Sequence, residues 1–314
     1  MFENTNIYLI ILYILSVTFI LILLKKYILE KNPNYKEETF IQEPPFIIKR
    51  NENLYDEFFA KIYDTVFHPD SYEYYDEHNI FMLTQPEPSQ SVILDIGSGT
   101  GNFAYSLTQK GFTNINCLDK SIEMSKVCIQ KYPDINVICQ DAMDSMIFDK
   151  STYTHIFCID MTIYEIKDRI RFFRNCYFWL KSNSYLILHL VNRNSFDTIC
   201  PVAKPVLLKN ANEHSLQKSP QIYTSTRITE TNVDFGKFKY KSSYDFSKKD
   251  IVIFTETFID SYSLKVRKNE KELYMSHNME DILYDAQYCG FLVVGQITMT
   301  KDPNQFLFIL ERPH

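Results

Sequence analysis

Glycine is scarce in this sequence: 314 residues hold seven, and three of them, Gly97, Gly99 and Gly101, fall within five positions. A chain so sparing of glycine keeps three together where the backbone needs them. An excess of basic residues is also missing. Lys and Arg number 33 against 39 Asp and Glu, a net charge of -6. A nucleic-acid partner therefore receives no electrostatic support, short of a local basic groove inside the acidic total. The seven cysteines (Cys117, Cys128, Cys139, Cys158, Cys176, Cys200 and Cys289) contain no CxxC pair and no Cys/His metal spacing. They make no case for a metal site or a disulfide framework and read as reduced thiols packed like small hydrophobes.

What is present is apolar. Hydrophobic residues make up 45% of the chain, enough for a substantial core, in a length too great for one small domain and short for two large ones. The run from Asn4 to Leu24 carries no charge. Eighteen helical residues span about 27 Å, close to the hydrocarbon thickness of a bilayer, so residues 1–24 are expected to form a transmembrane helix. The rival, a cleaved signal peptide, lacks a basic start and a small-x-small cleavage site. Only Glu3 precedes the run, whereas Lys25, Lys26, Lys31 and Lys36 follow it, and this asymmetry puts the remainder on the cytosolic side of a single-pass membrane protein. Residues 25–50, with three prolines and mixed charge, read as a linker.

Residues 51–90 read as two cap helices rich in Tyr, Phe and acidic residues, closed by Pro86 and Pro88. From Ser91 strands and helices alternate. Val92–Ile96, Asn114–Leu118, Ile135–Cys139, Tyr153–Ile159 and Tyr185–Val191 are apolar strands. The helices between them cover Asn102–Lys110, a segment capped by Ser121 and ending at Tyr132, and Glu165–Leu180. Continuous apolar strands alternating with helices mean a parallel sheet covered on both faces, here over residues 91–194. Residues 195–277 lose the alternation and read as an inserted antiparallel β meander, with β-like stretches at Gln221–Thr229, Lys237–Phe246, Ile251–Ile259 and Tyr262–Val266. Residues 278–314 return to a helix, with Asn278 as its cap and Gly290 as its stop. Two strands then follow, joined by a connection short enough to make them antiparallel.

The chemistry gathers at the glycines. A strand followed by Asp95-x-Gly97-x-Gly99-x-Gly101 and a helix is a cofactor loop. It is not the dinucleotide GxGxxG, because Asn102 stands where that motif puts its third glycine. VILDIGSGTGNF resembles motif I of the class I (Rossmann-like) S-adenosylmethionine-dependent methyltransferases. The resemblance implies S-adenosylmethionine as cofactor, held by Asp95, Gly97, Ser98, Gly99 and Gly101. It also implies a ribose-binding acid at the end of the second strand, where Asp119 stands with Lys120 beside it, and an acid near the adenine, where Asp141 and Ala142 stand. A carboxylate accepts both ribose hydroxyls, which suits the residue type. Cap-helix aromatics such as Tyr55 or Tyr63 would close over the methionine end, or serve packing alone.

The same resemblance implies a seven-stranded, mostly parallel α/β sheet of order 3-2-1-4-5-7-6, with helices on both faces and the meander roofing an acceptor pocket. The family's Pro-Gly-Gly turn before strand five is replaced by Lys181-Ser182-Asn183-Ser184. On the acceptor side, Asp160 can orient or deprotonate a nucleophile, or be a turn residue. His189 reads as a core histidine or a general base. Tyr164, Asn192 and Arg193 are candidate substrate contacts, Arg193 equally a solvated charge. Two other readings stay open: a catalytically inactive, membrane-anchored interaction module of methyltransferase-like fold, and a nicotinamide-dependent oxidoreductase, which the glycine spacing and the final strand pair disfavour. The methyl acceptor (small molecule, lipid or protein) and the oligomeric state are not legible.

Overall fold

The computed structural model describes residues 46–68, 77–203 and 227–314, together with Val17 and Ile20. The expected membrane span lies outside these residues, apart from helical, exposed Val17 and Ile20. Among the described residues no helix is long and apolar enough to cross a membrane. The chain divides into Met1–Pro45 and Phe46–His314; the second unit is built as follows.

Its strands are β1 (Phe46–Arg50), β2 (Ile93–Ile96), β3 (Ile115–Asp119), β4 (Asn136–Cys139), β5 (Tyr153–Cys158), β6 (Leu180–Val191), β7 (Glu230–Asp234), β8 (Phe238–Asp245), β9 (Ile251–Asp260), β10 (Val266–Tyr274), β11 (Leu292–Thr298) and β12 (Gln305–Arg312). Its helices are α1 (Glu57–Phe67), α2 (Glu77–Thr84), α3 (Asn102–Gln109), α4 (Ile122–Lys131), α5 (Arg169–Trp179) and α6 (Glu280–Tyr288). The larger sheet runs β4-β3-β2-β5-β6-β12-β11. Its first five strands are parallel, and β12 joins β6 and β11 antiparallel. This is the expected 3-2-1-4-5-7-6 order.

Strand alternation sends side chains to two separate cores. Leu94, Ile96, Ile156, Cys158, Leu186 and Leu188 pack under α5 and α6 through Phe172, Trp179 and Ile282. Ile93, Cys117, Phe157 and Ile187 pack under α2 and α3 through Ile80, Phe103 and Leu107. The helix caps are local in origin. Asp56, Ser121 and Asp168 accept from the backbone N–H groups of Phe59, Met124 and Arg171, at the starts of α1, α4 and α5.

The second sheet runs β1-β10-β9-β8-β7, and four differences from the sequence reading concern it or the elements around it. Phe46–Arg50, assigned above to the linker, is a strand pairing parallel with β10; its bulky apolar start suits a sheet better than a tether. The expected strand at Tyr262–Val266 is instead a turn leading into β10. Residues 221–226 lie outside the described residues, and 227–229 are not in a strand. Asn278 does not cap α6: Met279 precedes the helix without a side-chain bond. A fifth difference lies in the larger sheet. Lys181–Ser184 is not a free turn but part of β6, with Asn183 at φ +58°, the left-handed conformation that Asn adopts most readily after Gly.

Candidate functional site

A cleft of about 770 Å³ opens at the carboxyl ends of β2, β3 and β4. Of the residues singled out from sequence, it brings together Tyr63, Gly97, Gly99, Asp119, Lys120, Asp141 and Ala142. The three glycines divide their work. A Cβ on Gly97 would stand 2.5 Å from Cγ2 of Thr162, and one on Gly101 would collide with Sγ of Cys128. These two serve close packing around the loop. At Gly99 the nearest atom to such a Cβ is Cε1 of Tyr63, at 3.9 Å. Gly99 is the glycine with room in front of it, and that room is the cleft.

The loop is held from both sides. Gly97 N–H donates to Leu118 O at 2.8 Å, and Gly99 N–H donates to Oδ2 of Asp119 at 2.8 Å. Oδ1 of Asp119 accepts from Ser121 N–H at 2.8 Å. Burial pushes the Asp119 carboxyl up, against the pull of these two N–H groups. A carboxylate has about four acceptor sites, so both oxygens keep capacity for a diol. From above, Asp64 of α1 accepts from Thr100 (2.6 Å), Asn102 (2.8 Å) and Lys131 (2.6 Å), fastening the cap helix to the loop. Asp95 and Ser98 do not line the cleft. Asp95 is buried, its carboxyl is held well above the usual range by desolvation and then by Asp160, and its Oδ2 has no partner among the described residues.

At the cleft mouth stands Tyr55, expected from sequence, with two partners that the sequence reading missed, Glu165 and Lys271. Tyr55 Oη donates to Oε1 of Glu165 at 2.7 Å, and Lys271 Nζ reaches the same oxygen at 2.8 Å and Tyr55 Oη at 2.5 Å. The cap segment, the turn after β5 and the second sheet each contribute one member. The inward face of β10 reads Arg267-x-Asn269-x-Lys271-x-Leu273, so no apolar alternation announced the strand.

A second cavity, about 810 Å³, lies at the carboxyl ends of β5 and β6. Asp160 and Met161 line it, while Thr162, next in the chain, lines the first. Both Asp160 and Met161 have positive φ, +51° and +65°, a strained turn of the kind that collects at functional sites. Tyr63 lines the cleft and Phe67, one turn along α1 with its ring 4.9 Å away, lines the cavity. Tyr244 of β8 and Phe254 of β9 form the far wall, so the second sheet does roof it.

His189 lines this cavity but is not placed as a base. Its Nδ1 accepts from Met161 N–H at 3.3 Å, which leaves Nε2 protonated and facing Oε1 of Gln305 at 3.0 Å. Burial lowers its pKa to about 4. It is a neutral imidazole bracing the 160–161 turn. The substrate-contact expectations are corrected in the same way. Tyr164 is buried, with its hydroxyl on Val191 N–H at 2.9 Å. Arg193 is buried, donating to Phe246 O and Lys248 O at 3.2 and 2.7 Å and tying the β8–β9 loop down. Asn192 turns its Oδ1 to Asn194 N–H at 3.1 Å. None of the three lines either cavity.

The parallel sheet with an antiparallel closing pair, and a glycine loop facing an acid on the neighbouring strand, make this the fold of the S-adenosylmethionine-dependent methyltransferases. Residues 93–183 match the family model of a methyltransferase domain. Among solved structures, an S-adenosylmethionine-dependent methyltransferase from Clostridium acetobutylicum is 17% identical with a TM-score of 0.57, over 82% of this chain and 98% of that one. The CcbJ methyltransferase from Streptomyces caelestis is 12% identical with a TM-score of 0.58, over 83% and 98%. The sugar N-methyltransferase KedS8 from Streptoalloteichus is 16% identical with a TM-score of 0.52, over 79% and 96%. No curated protein matches the chain in sequence.

Proposed function

We propose that this chain is an S-adenosylmethionine-dependent methyltransferase that binds its cofactor in the first cleft and its methyl acceptor in the second cavity. One observation carries the reading: neighbouring residues line the two spaces, Tyr63 and Phe67 one turn apart on α1, and Met161 and Thr162 consecutive in one turn. A donor and an acceptor in adjoining chambers is what transfer between them requires.

The residues fit the cofactor. Asp119 has acceptor capacity for the ribose hydroxyls, Leu118, Ala142 and Ile166 offer apolar contact to a purine, and Gly99 leaves its side open. S-adenosylmethionine supplies a methyl group already activated on sulfur, so the protein's work is alignment and exclusion of water. Tyr55 and Tyr63 cover the cleft, and His189 fixes the turn between the chambers.

The uncharged run Asn4–Leu24 followed by Lys25 and Lys26 supports a membrane tether with the enzyme on the cytosolic side; alkaline carbonate extraction of the full chain from membranes tests it, release into the supernatant counting against it. The catalytic reading is tested by calorimetric titration of the full chain with S-adenosylmethionine, S-adenosylhomocysteine and NAD. Micromolar binding of the first two, lost in Asp119→Ala, is expected. A folded chain that binds neither is not this enzyme.

A further inference from the structure

We infer that Lys271, on the second sheet, is a positioning residue for the cofactor: with Glu165 and Tyr55 it pins residues 50–56 across the mouth of the first cleft and so sets how fast the cofactor leaves. This rests on the methyl-transfer reading above.

Two open grooves, of about 1520 and 1310 Å³, flank the mouth. Each shares Lys120 and Asp141 with the cleft, and Arg50, Glu52 and Asn53 line both. Residues 50–56 therefore run as a strap between two exits, and Tyr55 within it lines the cleft itself.

The second sheet grips the strap along its length. β1 leads into it from the ladder with β10. Arg267 donates to Leu54 O at 2.9 Å and to Oδ2 of Asp56 at 2.8 Å, and Glu272 N–H donates to Oδ1 of Asn51 at 2.9 Å. The polar contacts to the cofactor-binding core are of unequal weight. Lys120 reaches Glu52 at 2.8 Å, but these side chains are 37% and 72% exposed, and such surface pairs contribute little. Ser121 Oγ donates to Tyr55 O at 2.8 Å. Tyr55 Oη and Lys271 Nζ both donate to Oε1 of Glu165, and Lys271 also donates to Tyr55 Oη. Lys271 and Glu165 are only 14% and 25% exposed, so solvent and salt screen this pair less.

This trio stands at both exits. Tyr55 lines one groove, Glu165 and Lys271 line the other, and Tyr55 and Glu165 line the cleft between them. A cofactor with its ribose on Asp119 leaves by either groove only past the trio. The second sheet thus retains the cofactor through a side chain that does not itself line the cleft.

The test measures cofactor exchange on the full chain. Dissociation of a dye-labelled S-adenosylhomocysteine is followed by stopped flow after mixing with excess unlabelled ligand. Lys271→Met and Tyr55→Phe are each expected to speed it by about threefold or more. The double variant should match the faster single one, because both substitutions dismantle one assembly. The Lys271 charge also acts on Glu256 deeper in the sheet; Tyr55→Phe leaves both in place and keeps the ring over the cleft. Arg193→Ala controls for lost stability, since Arg193 lines neither cavity, and its rate should stay below that threshold. A smaller effect in either single variant, a double variant whose acceleration is the product of the two, or an Arg193→Ala rate above the threshold overturns the inference. Failure of the native chain to bind S-adenosylhomocysteine in calorimetry overturns the methyltransferase reading instead.

Discussion

Alanine at Gly101 would place a methyl group against the sulfur of Cys128 and 3.3 Å from Cδ2 of Tyr132, on a backbone at φ +83°. Alanine at Gly99 would meet nothing closer than 3.9 Å, at φ +54°. A non-glycine residue in the left-handed region costs about 1–2 kcal/mol, and both variants carry that cost. Overpacking a buried contact adds about 1–3 kcal/mol, which only Gly101→Ala carries. Gly101→Ala should therefore lose about 2–5 kcal/mol of stability and Gly99→Ala about 1–2 kcal/mol. Affinity should run the other way, since the Gly99 methyl enters the cleft. Urea midpoints and calorimetric titration with S-adenosylmethionine measure both. Adding Cys128→Ala should return part of the Gly101→Ala loss, because the sulfur is the nearest obstacle. If Gly99→Ala proves as destabilising as Gly101→Ala, or binds the cofactor as the native chain does, the division of labour among the glycines is wrong.

Three further outcomes follow from the polar interior. Arg193→Ala strands two carbonyls and removes the guanidinium 5.5 Å from the Phe246 ring centroid, so it should cost about 2–4 kcal/mol. Its cofactor affinity should be unchanged; a selective loss of affinity by titration would restore a ligand-binding role. Lys271→Met leaves the Glu165 carboxylate with Tyr55 alone, and should cost about 1–3 kcal/mol in urea denaturation; an unchanged midpoint would mean the pair contributes nothing. Glu256, buried in β9, has its carboxyl raised by desolvation to about 7, with Lys271, Tyr240 and Asn269 pulling the other way. The unfolded chain releases that proton near pH 4.3, so this group makes stability fall as pH rises between the two values and stay flat above them. The slope is about 1.4 kcal/mol per pH unit. Midpoints at about pH 5 and about pH 8 should diverge less in Glu256→Gln than in the native chain; parallel profiles would contradict the assignment.

The larger sheet was legible because its central strands are buried on both faces and read as apolar runs between helical periods, from Ile93–Ile96 through Leu186–Val191. The cofactor cleft was legible because short-range patterns made it: a loop of three glycines and acids at strand ends. The second sheet was harder. Its inward faces mix Arg267, Asn269, Lys271 and Glu256 with Phe254 and Phe258, so alternation by hydrophobicity failed where polar side chains bond to one another in the interior. Arg193 and Tyr164, read as candidate substrate contacts, were hard to place for a related reason. Sequence places a polar residue at the functional end of a strand but does not say whether its hydrogen bonds are spent on neighbouring backbone, as Arg193 spends its bonds on Phe246 and Lys248.

The most direct test of the central claim is a structure of the full chain with S-adenosylhomocysteine. The account expects the ribose hydroxyls on the Asp119 carboxylate, the adenine between Leu118 and Ala142, and the sulfur at the side of the cleft lined by Thr162. Ligand density in another orientation, or outside this cleft, would contradict it.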